Sequence, residues 1–555
     1  MKRKLYLLTV VILIVAIVLS LGFSGCKTTT AAGETTTAGE TTTAGPVKDT
    51  IIIGEAHNMR SLDPESMISG QEGCIAKAVY EGLVAFNKEE PANYLPALAE
   101  SWDVSTDAKE WTFHLRKGVK FTTGNEMTAK DVIYSFKRGL EISKTGVQYP
   151  PLQKFLGGDD FDFDKSFQVI DDYTVKITLQ KGFAGWLSML AKSCVVVLDS
   201  TELEKHITDN DKLGTNWLND NSIGTGPFYL KEWARNERIV LEKNDNYWGI
   251  AANFFRVPKY KTFISLNVPE ATTQLMMLLK GDIDFTRSLP KESLTTLTDN
   301  KDAKIVSSLS YIVTGIIMNP TFEPFSDENV VQAVKYAIDY DTICKDILSA
   351  VRMDRPIVKP LLGTDEDLLY GYDLEKAKSL MAQSKYPDGF EVTMMIGTGI
   401  GLGSDWESLA LKLTDDLAKI GIKLKLQQAE WSAMDEQEVA GKFDAMLNWT
   451  AAWYPDPAGC IEGWTKGDTK GNSNLRPVGN WDYAELDKIA EQAMVETDLQ
   501  KRYELYRSYS ELWLLKGPWA NIAQEVQNLA FRSDILGWDG NPDPYASDFA
   551  VLYRG

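Results

Sequence analysis

The residue types that most often carry enzymatic chemistry are sparse in this chain of 555 residues. Only three histidines occur, His57, His114 and His206, and no two of them stand at the spacing of metal ligands. No Gly-x-Ser-x-Gly, His-Glu-x-x-His or phosphate-loop motif is present. The 78 acidic residues offer many carboxylate pairs of the kind a glycosidase uses, but the sequence singles out none of them. We therefore expect no catalytic residue, no metal and no cofactor, with a cell-surface hydrolase as the alternative.

Aromatic residues, in contrast, are frequent, and several stand at loop positions. The chain has 15 Trp and 22 Tyr. The stretch NWTAAWYPDPAG, residues 448–459, brings Trp449, Trp453 and Tyr454 into a segment broken by two prolines. Rigid rings at such positions hold extended ligands with little loss of conformational entropy. The pattern favours binding over catalysis, although each single Trp also suits a place in a hydrophobic core.

The residues around these loops predict a mixed α/β body. Trp111, Phe113 and Leu115 alternate with polar residues, which indicates a strand with one buried face. Thr128 and Asp131 have the spacing of a capping box, which predicts that a helix begins there. Strand and helix patterns of this kind recur along the body, and no internal repeat is visible in it.

The second half of the chain carries the same patterns. Residues 391–426 predict a strand, a helix that ends at Gly421, and a second strand. Residues 326–345 predict one helix with Ser326 as its N-cap. Residues 482–516 predict a pair of amphipathic helices.

The N-terminus has the pattern of an export signal. A basic patch at residues 2–4 precedes the apolar run 5–21 and the sequence LGFSGC, which ends at Cys26. This resembles a bacterial lipobox, in which residues 1–25 are a lipoprotein signal peptide and the cysteine is acylated. Residues 26–49 are rich in Thr, Gly and Glu and lack the apolar residues of a core, so we expect a flexible tether. An uncleaved anchor helix is the alternative, although the apolar run is short for a span of about 20 residues.

Net charge and cysteine content exclude further classes of partner and of structural site. After cleavage at Cys26 the chain would carry 55 Lys and Arg against 78 Asp and Glu, a net charge of −23. A balance this acidic argues against a nucleic-acid partner. The remaining cysteines are too few and too far apart for a disulfide framework or a zinc site. They are Cys74, Cys194, Cys344 and Cys460.

Several motifs, taken in order along the chain, resemble those of the family 5 extracellular solute-binding proteins. The clearest is PALAESWDVSTDAKEWTFHLRKGVKFTTGNEMTAKDVIYSFKR, residues 96–138. Further ones are GTGPFYLKEWARNERIVLEKNDNYWG, LLKGDIDF, FSDENVVQAVKYAIDYDTI, IGIKLKLQQAEW and GKFDAMLNWTAAWYPDP. Together they extend the resemblance from residue 51 to the end of the chain. Proteins of this family are the receptors of ABC importers for oligopeptides, dipeptides, nickel chelates and some oligosaccharides.

The resemblance implies an α/β, bilobal, periplasmic-binding-protein-like fold of type II, cluster C, with an extra inserted domain and two hinge crossings. Lobe I would be assembled from residues 50–85, 222–315 and 522–555. The extra domain, inserted in lobe I, would be 86–221, and lobe III would be 316–521. A ligand would lie between lobes I and III, and their closure over it would report occupancy to a membrane permease.

The resemblance also implies which residues contact the ligand. In peptide-binding members this region carries a Trp beside a side-chain pocket, backbone that pairs with the ligand like a strand, and an Asp that binds the ligand's ammonium group. Trp449 matches that Trp, Trp431 matches a second pocket Trp, and Tyr149 matches an aromatic residue of the extra domain. The other candidates are Thr450, Ala451, Trp453, Tyr454, Asp456 and Gly70.

The charged anchors of the peptide-binding members are absent at the matching positions. The ammonium-binding Asp is replaced by Ala452 or Trp453, depending on where one inserted residue falls. Met446 or Leu447 stands where a basic residue would meet a ligand carboxylate, and Asp456 is the alternative source of a carboxylate. We therefore expect a ligand held by stacking and backbone hydrogen bonds. An oligopeptide is the leading class, and an oligosaccharide is the alternative.

The partners implied by the resemblance are the ABC permease and ATPase subunits, together with the membrane to which the lipid attaches. The chain is expected to be exported to the cell envelope and anchored at the outer face of the cytoplasmic membrane. ATP would be used by the other subunits, and no hydrolytic role is expected for this chain.

Overall fold

The structure is a computed structural model. It describes residues 49–57, 59–66, 69–87, 89–90, 92–144, 152–156, 161–287, 289–361, 363–364, 370–398, 406–452, 454–464, 483–538, 540–541 and 547–555. The signal segment and most of the tether lie outside the described residues, as do three of the candidate functional residues, Cys26, Tyr149 and Trp453.

The strands of this part of the chain are β1 (Thr50–Glu55), β2 (Val84–Ala85), β3 (Leu95–Pro96), β4 (Ala99–Val104), β5 (Glu110–Leu115), β6 (Phe167–Asp171), β7 (Thr174–Thr178), β8 (Phe228–Ala234), β9 (Arg238–Lys243), β10 (Thr262–Asn267), β11 (Phe285–Thr286), β12 (Ala303–Met318), β13 (Val351–Arg352), β14 (Phe390–Thr398), β15 (Ile422–Glu430), β16 (Ala445–Ala451), β17 (Trp519–Arg532), β18 (Ile535–Leu536) and β19 (Tyr553–Arg554).

The α-helices are α1 (Gly70–Val79), α2 (Ala129–Ser143), α3 (Leu152–Leu156), α4 (Phe163–Ser166), α5 (Trp186–Leu190), α6 (Ser200–Leu203), α7 (Thr215–Leu218), α8 (Trp248–Ala252), α9 (Ala271–Lys280), α10 (Lys291–Thr295), α11 (Glu328–Ala337), α12 (Tyr340–Thr342), α13 (Leu374–Gln383), α14 (Trp406–Ala418), α15 (Trp431–Val439), α16 (Pro457–Trp464), α17 (Ala484–Val495) and α18 (Leu499–Lys516).

Two long strands join the halves of the main sheet. Its order is β15-β14-β16-β12-β17-β11-β1-β10-β9-β8, with β13 paired to β17 off this path. Strand β12 has 16 residues and β17 has 14. Near its start β12 pairs with the part of β17 that also pairs with β11, and near its end it pairs with β16 as well. The two strands therefore cross from one half of the sheet to the other, as the two expected hinge crossings require.

The strands of the two halves run toward each other. β1 is parallel to β10 and to β11, and all three have the same direction as β12, because β11 and β12 are both antiparallel to β17. On the other side β14 is parallel to β15 and β16, and β16 is antiparallel to β12. The carboxyl ends of both parallel sets consequently point at the middle of the two long strands.

The helices and the smaller sheets cover the faces of this framework. An antiparallel sheet of order β4-β5-β7-β6 lies within residues 86–221. Its buried residues, among them Trp111 and Phe113, form one hydrophobic core with Ile51 and Ile53 of β1. In the other half, α11, α13 and α14 pack on β14 and β16 in a separate core. The boundaries proposed for the three parts of the chain stay a prediction.

Local patterns explain most of these elements. The alternating side chains of β5, Trp111, Phe113 and Leu115, are buried as predicted. Helix α2 begins after Thr128 with the predicted capping box, in which the Thr128 backbone N–H donates to Asp131 at 2.8 Å. Gly421 has a φ of +83°, a left-handed conformation that glycine adopts without strain, and it turns the chain from α14 into β15.

The prediction of one helix over 326–345 is wrong. Helix α11 begins after Asp327, whose side chain accepts from the Asn329 N–H at 2.9 Å, while the Ser326 hydroxyl donates to the Glu323 carbonyl in a preceding 3₁₀ turn. The helix ends at Ala337 because Asp339 caps the next short helix, α12, which a π-helical segment follows. The predicted pair of helices over 482–516 is confirmed as α17 and α18.

Two further features concern the membrane and the cysteines. Within the described part of the chain, none of the helices combines the length and the apolar character needed to span a bilayer. The side chains of Cys74, Cys194, Cys344 and Cys460 are all buried.

A buried ion cluster connects helix α2 to the segment that precedes helix α1. Arg138 of α2 contacts Asp63 and Glu65, each at 2.5 Å, and all three side chains are almost completely buried. Arg138 also donates through Nε to the Leu213 carbonyl at 2.7 Å. Because two carboxylates surround one guanidinium away from water, removal of the cation would leave uncompensated charge in the interior.

We predict that Arg138→Ala lowers the free energy of unfolding by about 3–5 kcal/mol, because Asp63 and Glu65 would lose their buried counter-charge. Urea unfolding followed by circular dichroism measures this change. The matched control is Lys137→Ala at the neighbouring exposed position of the same helix, which should cost less than about 1 kcal/mol. Equal effects of the two substitutions would contradict the importance of the cluster.

Candidate functional site

The ladder between β12 and β17 is interrupted where the two parallel sets of strands meet. Leu309 pairs with Val526 and Val313 pairs with Gln524, so three residues of β12 stand opposite Glu525 alone. Such a bulge bends its strand and interrupts the regular hydrogen bonding. Open α/β sheets bind ligands outside the carboxyl ends of their strands, and here two sets of such ends face the bulge. The cleft around the bulge is therefore the candidate site.

Three tryptophans cluster beside the carboxyl ends of β15 and β16. Trp449 lies near the end of β16, Trp431 follows β15 directly, and Trp406 is the first residue of α14. The Trp431 and Trp449 rings meet edge to face with centroids 6.2 Å apart, and the Trp406 and Trp431 rings do the same at 5.6 Å. We call Trp406, Trp431 and Trp449 the tryptophan wall. The indole N–H groups of Trp406 and Trp431 are buried and lack a hydrogen-bond acceptor among the described residues.

The wall packs closely on the end of β14. A Cβ at Gly397 would lie 2.9 Å from the ring of Trp431, so a glycine is needed for this approach. Trp431 and Trp449 are half-buried, whereas Trp406 is nearly buried. The structure thus brings together Trp431 and Trp449 as predicted neighbours and adds Trp406. Trp406 lies on the apolar stripe of its helix, a position that by itself indicates only the core.

The backbone of β16 carries the next candidate residues to the hinge. Trp449, Thr450 and Ala451 pair with Thr314, Val313 and Ile312 of β12. The ladder continues one residue further, where the Ala452 N–H donates to the Tyr311 carbonyl at 3.2 Å. Since side chains alternate along a strand, Trp449 and Ala451 share one face and Thr450 points to the other.

Tyr454 and Asp456 take a different place from the tryptophan wall. Tyr454 is buried in the core of the first half and meets Phe183 edge to face, with ring centroids 5.8 Å apart. The next residue, Pro455, is also held by this half of the chain, because its carbonyl accepts a hydrogen bond from the Tyr94 hydroxyl at 2.8 Å. The segment after the wall therefore contacts residues of the predicted extra domain.

Asp456 is held in a buried ion pair. Both of its oxygens accept from Arg502, from Nη1 at 2.8 Å and from Nη2 at 2.9 Å, in a bidentate arrangement. Arg502 also donates from Nε to the Ala493 carbonyl at 3.0 Å. Burial lowers the pKa of Arg502, but Asp456 and Tyr506 together outweigh burial and raise that pKa above its ordinary value. Asp456 thus has its charge balanced within the protein.

Charged residues also stand at the opposite side of the cleft. Glu55, at the end of β1, accepts from Arg287, which follows β11, at 2.6 Å. Arg287 also donates to the Cys74 sulfur at 3.0 Å, and Gln71 donates to Glu55 at 2.9 Å. Gly70, the candidate from lobe I, is the first residue of α1 and the neighbour of Gln71. Sequence reasoning missed this ion pair, although a charge directly after an apolar strand is the signal for it.

The bulge itself presents one carboxylate. Glu525 of β17 is half-buried, and the Ser310 hydroxyl donates to it at 3.4 Å. Burial raises the pKa of Glu525 to about 7. Met446 and Leu447, the two alternatives for the position of the expected basic residue, are buried in apolar cores. Within the described residues no group of three His, Cys, Asp or Glu side chains is arranged to hold a metal ion.

We predict that Asp456→Asn lowers the free energy of unfolding by about 3–5 kcal/mol, because the charge of Arg502 would stay buried without its partner. Thermal or urea unfolding measures the effect. Asp415→Asn, on the exposed side of α14, is the control and should change stability by less than about 0.5 kcal/mol. An unchanged stability of Asp456→Asn would show that the pair is not structural.

Comparison with known proteins places this architecture. The chain matches the model of the bacterial extracellular solute-binding proteins, family 5, over residues 93–472. It is 28% identical over 506 residues to the "Probable D,D-dipeptide-binding periplasmic protein DdpA" of Escherichia coli, covering 89% of this chain and 92% of that protein. It is also 28% identical over 525 residues to heme-binding protein A of Haemophilus influenzae, covering 91% and 93%.

Solved structures share the fold. HbpA2 of Haemophilus parasuis superposes with a TM-score of 0.81 at 22% identity, covering 91% of this chain and all of that one. DppA of Helicobacter pylori, solved with the peptide STSA, gives a TM-score of 0.68 at 24% identity over 91% of this chain and 98% of its own. The relatives named here are solute-binding proteins and not enzymes. With its α/β, bilobal, type II periplasmic-binding-protein fold, the chain belongs to family 5 of the bacterial extracellular solute-binding proteins.

Proposed function

We propose that this protein is the receptor of an ABC importer, that it captures oligopeptides between lobes I and III, and that it delivers them to the membrane permease. Family membership supports the receptor role. The relatives support peptides as ligands, since they include proteins named for dipeptides, for di- and tripeptides and for glutathione. A relative named for heme shows that the family also contains other ligand classes.

The observation that carries the proposal is the edge of β16 beside the tryptophan wall. Strand β16 pairs with β12 through seven residues but with β14 through only two, Ala445 and Met446. From Leu447 to Ala451, no strand in the described part of the chain is paired to the second edge. An extended peptide can add to such an edge by backbone hydrogen bonds, and neighbouring pockets then select its side chains.

The backbone groups at this edge can be assigned from the ladder. The Ala452 N–H points at β12, where it bonds to Tyr311. Backbone groups alternate in direction along a strand, so those of Trp449 and Ala451 point away from β12 toward the open edge. In this structure the Trp449 N–H bonds to the side chain of Asn448 at 2.8 Å. A bound peptide would compete with that amide for the N–H.

The tryptophan wall supplies the apolar contact of the same site. Trp431 and Trp449 offer half-buried indole rings, which stack on aromatic, aliphatic or planar peptide groups. Sugar faces stack on indole as well, so an oligosaccharide is the ligand class against which the peptide proposal is tested. Mass spectrometry of the material that co-purifies in the cleft distinguishes the two classes directly, and a glycan there would overturn the peptide assignment.

We predict that Trp449→Ala and Trp431→Ala each weaken ligand binding about 10- to 100-fold, because each removes a large apolar contact at the ligand. Binding is measured by calorimetry with the co-purified ligand added back to protein refolded without it. Trp538→Ala is the control, since Trp538 packs on Phe285 and Phe531 away from the tryptophan wall. A control that loses as much affinity as the two wall variants would contradict the site.

We further propose that Cys26 is acylated and anchors the protein to the outer face of the cytoplasmic membrane through the tether of residues 26–49. Cys26→Ala should leave the precursor uncut or release the mature chain from the membrane fraction, because the acyl chains supply the attachment. Membrane fractionation and the mass of the mature chain measure this. Ser24→Ala keeps the cysteine and is the control. Unchanged processing and fractionation of Cys26→Ala would rule out the anchor.

A further inference from the structure

We propose that Glu525 binds a cationic group of the ligand, such as the ammonium group of a peptide, at the base of the cleft. The proposal rests on the proposed function, because it assigns the ligand chemistry of the same site. It is independent of the segment 448–459, in which the sequence offers only Asp456 as a carboxylate.

The position of Glu525 in the ladder brings it to the line where the two lobes meet. It stands between Gln524, paired with Val313, and Val526, paired with Leu309. The carboxyl ends of β1 and β11 point to this line from one side, and those of β14 and β16 point to it from the other. A ligand that contacts both lobes therefore passes close to Glu525.

The register also determines the direction of its side chain. Trp449 pairs with Thr314, and Thr314 pairs with Ala523, so these three side chains lie on one face. Glu525 is two residues beyond Ala523 on the same strand and points to that face too. The two outer strands are about 10 Å apart across β12. A peptide stacked on Trp449 can thus place its terminal group near Glu525.

Several buried carboxylates have a cationic partner that Glu525 lacks. Asp63, Asp456 and Asp548 each form an ion pair with an arginine, and so does Glu55. For Glu525 no Lys, Arg or His of the described residues lies within 4.0 Å, and the Ser310 hydroxyl donates to it in a long hydrogen bond of 3.4 Å. The raised pKa of Glu525, about 7, reflects burial without a compensating cation.

A cation from the ligand would supply the missing counter-charge. A half-buried carboxylate without a cation is unfavourable in the empty protein, and a charge-assisted hydrogen bond to an ammonium group recovers that cost on binding. The other residues at this end of β16 are neutral: Trp449, Thr450, Ala451 and Ala452. Selectivity for a ligand cation would therefore come from the hinge strand, while the lobe III strand contributes stacking and backbone pairing.

The test compares Glu525→Gln with the unmodified chain, using tripeptides that carry each residue type at the first position, in free-amine and N-acetylated forms. Calorimetry measures the affinities at pH 8. The unmodified protein should bind the free-amine forms at least about tenfold more tightly, the strength of one charge-assisted hydrogen bond. Glu525→Gln should lose this preference and keep its affinity for the acetylated forms. It is nearly isosteric, so circular dichroism should show native folding.

Glu391→Gln is the matched control. Glu391 is an exposed strand residue of lobe III that pairs with Lys425, and its substitution should leave the preference unchanged. If Glu525→Gln retains the preference for free amines, or if the unmodified chain shows none, the inference is overturned while peptide binding stands. If the unmodified chain binds no tripeptide in either form, the proposed function and the inference both fail.

Discussion

The hydrogen-bond ladder between β12 and β17 connects the strands on one side of the cleft to the strands on the other. Both strands run through both halves of the main sheet, and the parallel strands on each side are aligned to them. This alignment makes two sets of carboxyl ends face one another, which is the geometry a two-sided binding site needs. The register shift opposite Glu525 leaves few hydrogen bonds there. Bending at that point disturbs less of the ladder than bending elsewhere, so lobe motion is compatible with continuous strands.

Buried ion pairs connect parts of the chain that are distant in sequence. Arg138 connects α2 to Asp63 and Glu65, and Arg256 connects the last residues of the chain to Glu81 through Asp548. In each cluster the arginine provides several donors in a fixed plane, which satisfies carboxylates that burial would otherwise destabilise. Glu525 lies at the cleft without such a partner, and that contrast is the reason to connect it with the ligand.

The stretch NWTAAWYPDPAG shows how one aromatic segment serves two purposes. Its first part, through Ala451, belongs to β16 and presents Trp449 to the cleft. Its second part turns away at the prolines, buries Tyr454 against Phe183 and pairs Asp456 with Arg502. The same segment therefore contributes Trp449 to the candidate site and forms a contact with the predicted extra domain.

The sequence by itself determined the elements whose causes are local. Alternation from Trp111 to Leu115, the Thr128 capping box and the turn at Gly421 depend on neighbouring residues, so their patterns were sufficient. The motifs also identified the family and the pair Trp431 and Trp449. The start of α11 does not follow the predicted cap: Asp327 rather than Ser326 is its N-cap, because the serine hydroxyl is engaged in the preceding turn.

Only the tertiary structure decided the partners of the charged residues. Asp456 meets an arginine 46 residues away, and Glu525 meets a serine 215 residues away at an irregular point of the ladder. No periodicity in the sequence encodes the register of two strands so far apart, because that register results from the packing of both lobes at once. A carboxylate with a structural partner and one without are identical in sequence, and burial and neighbours alone separate them.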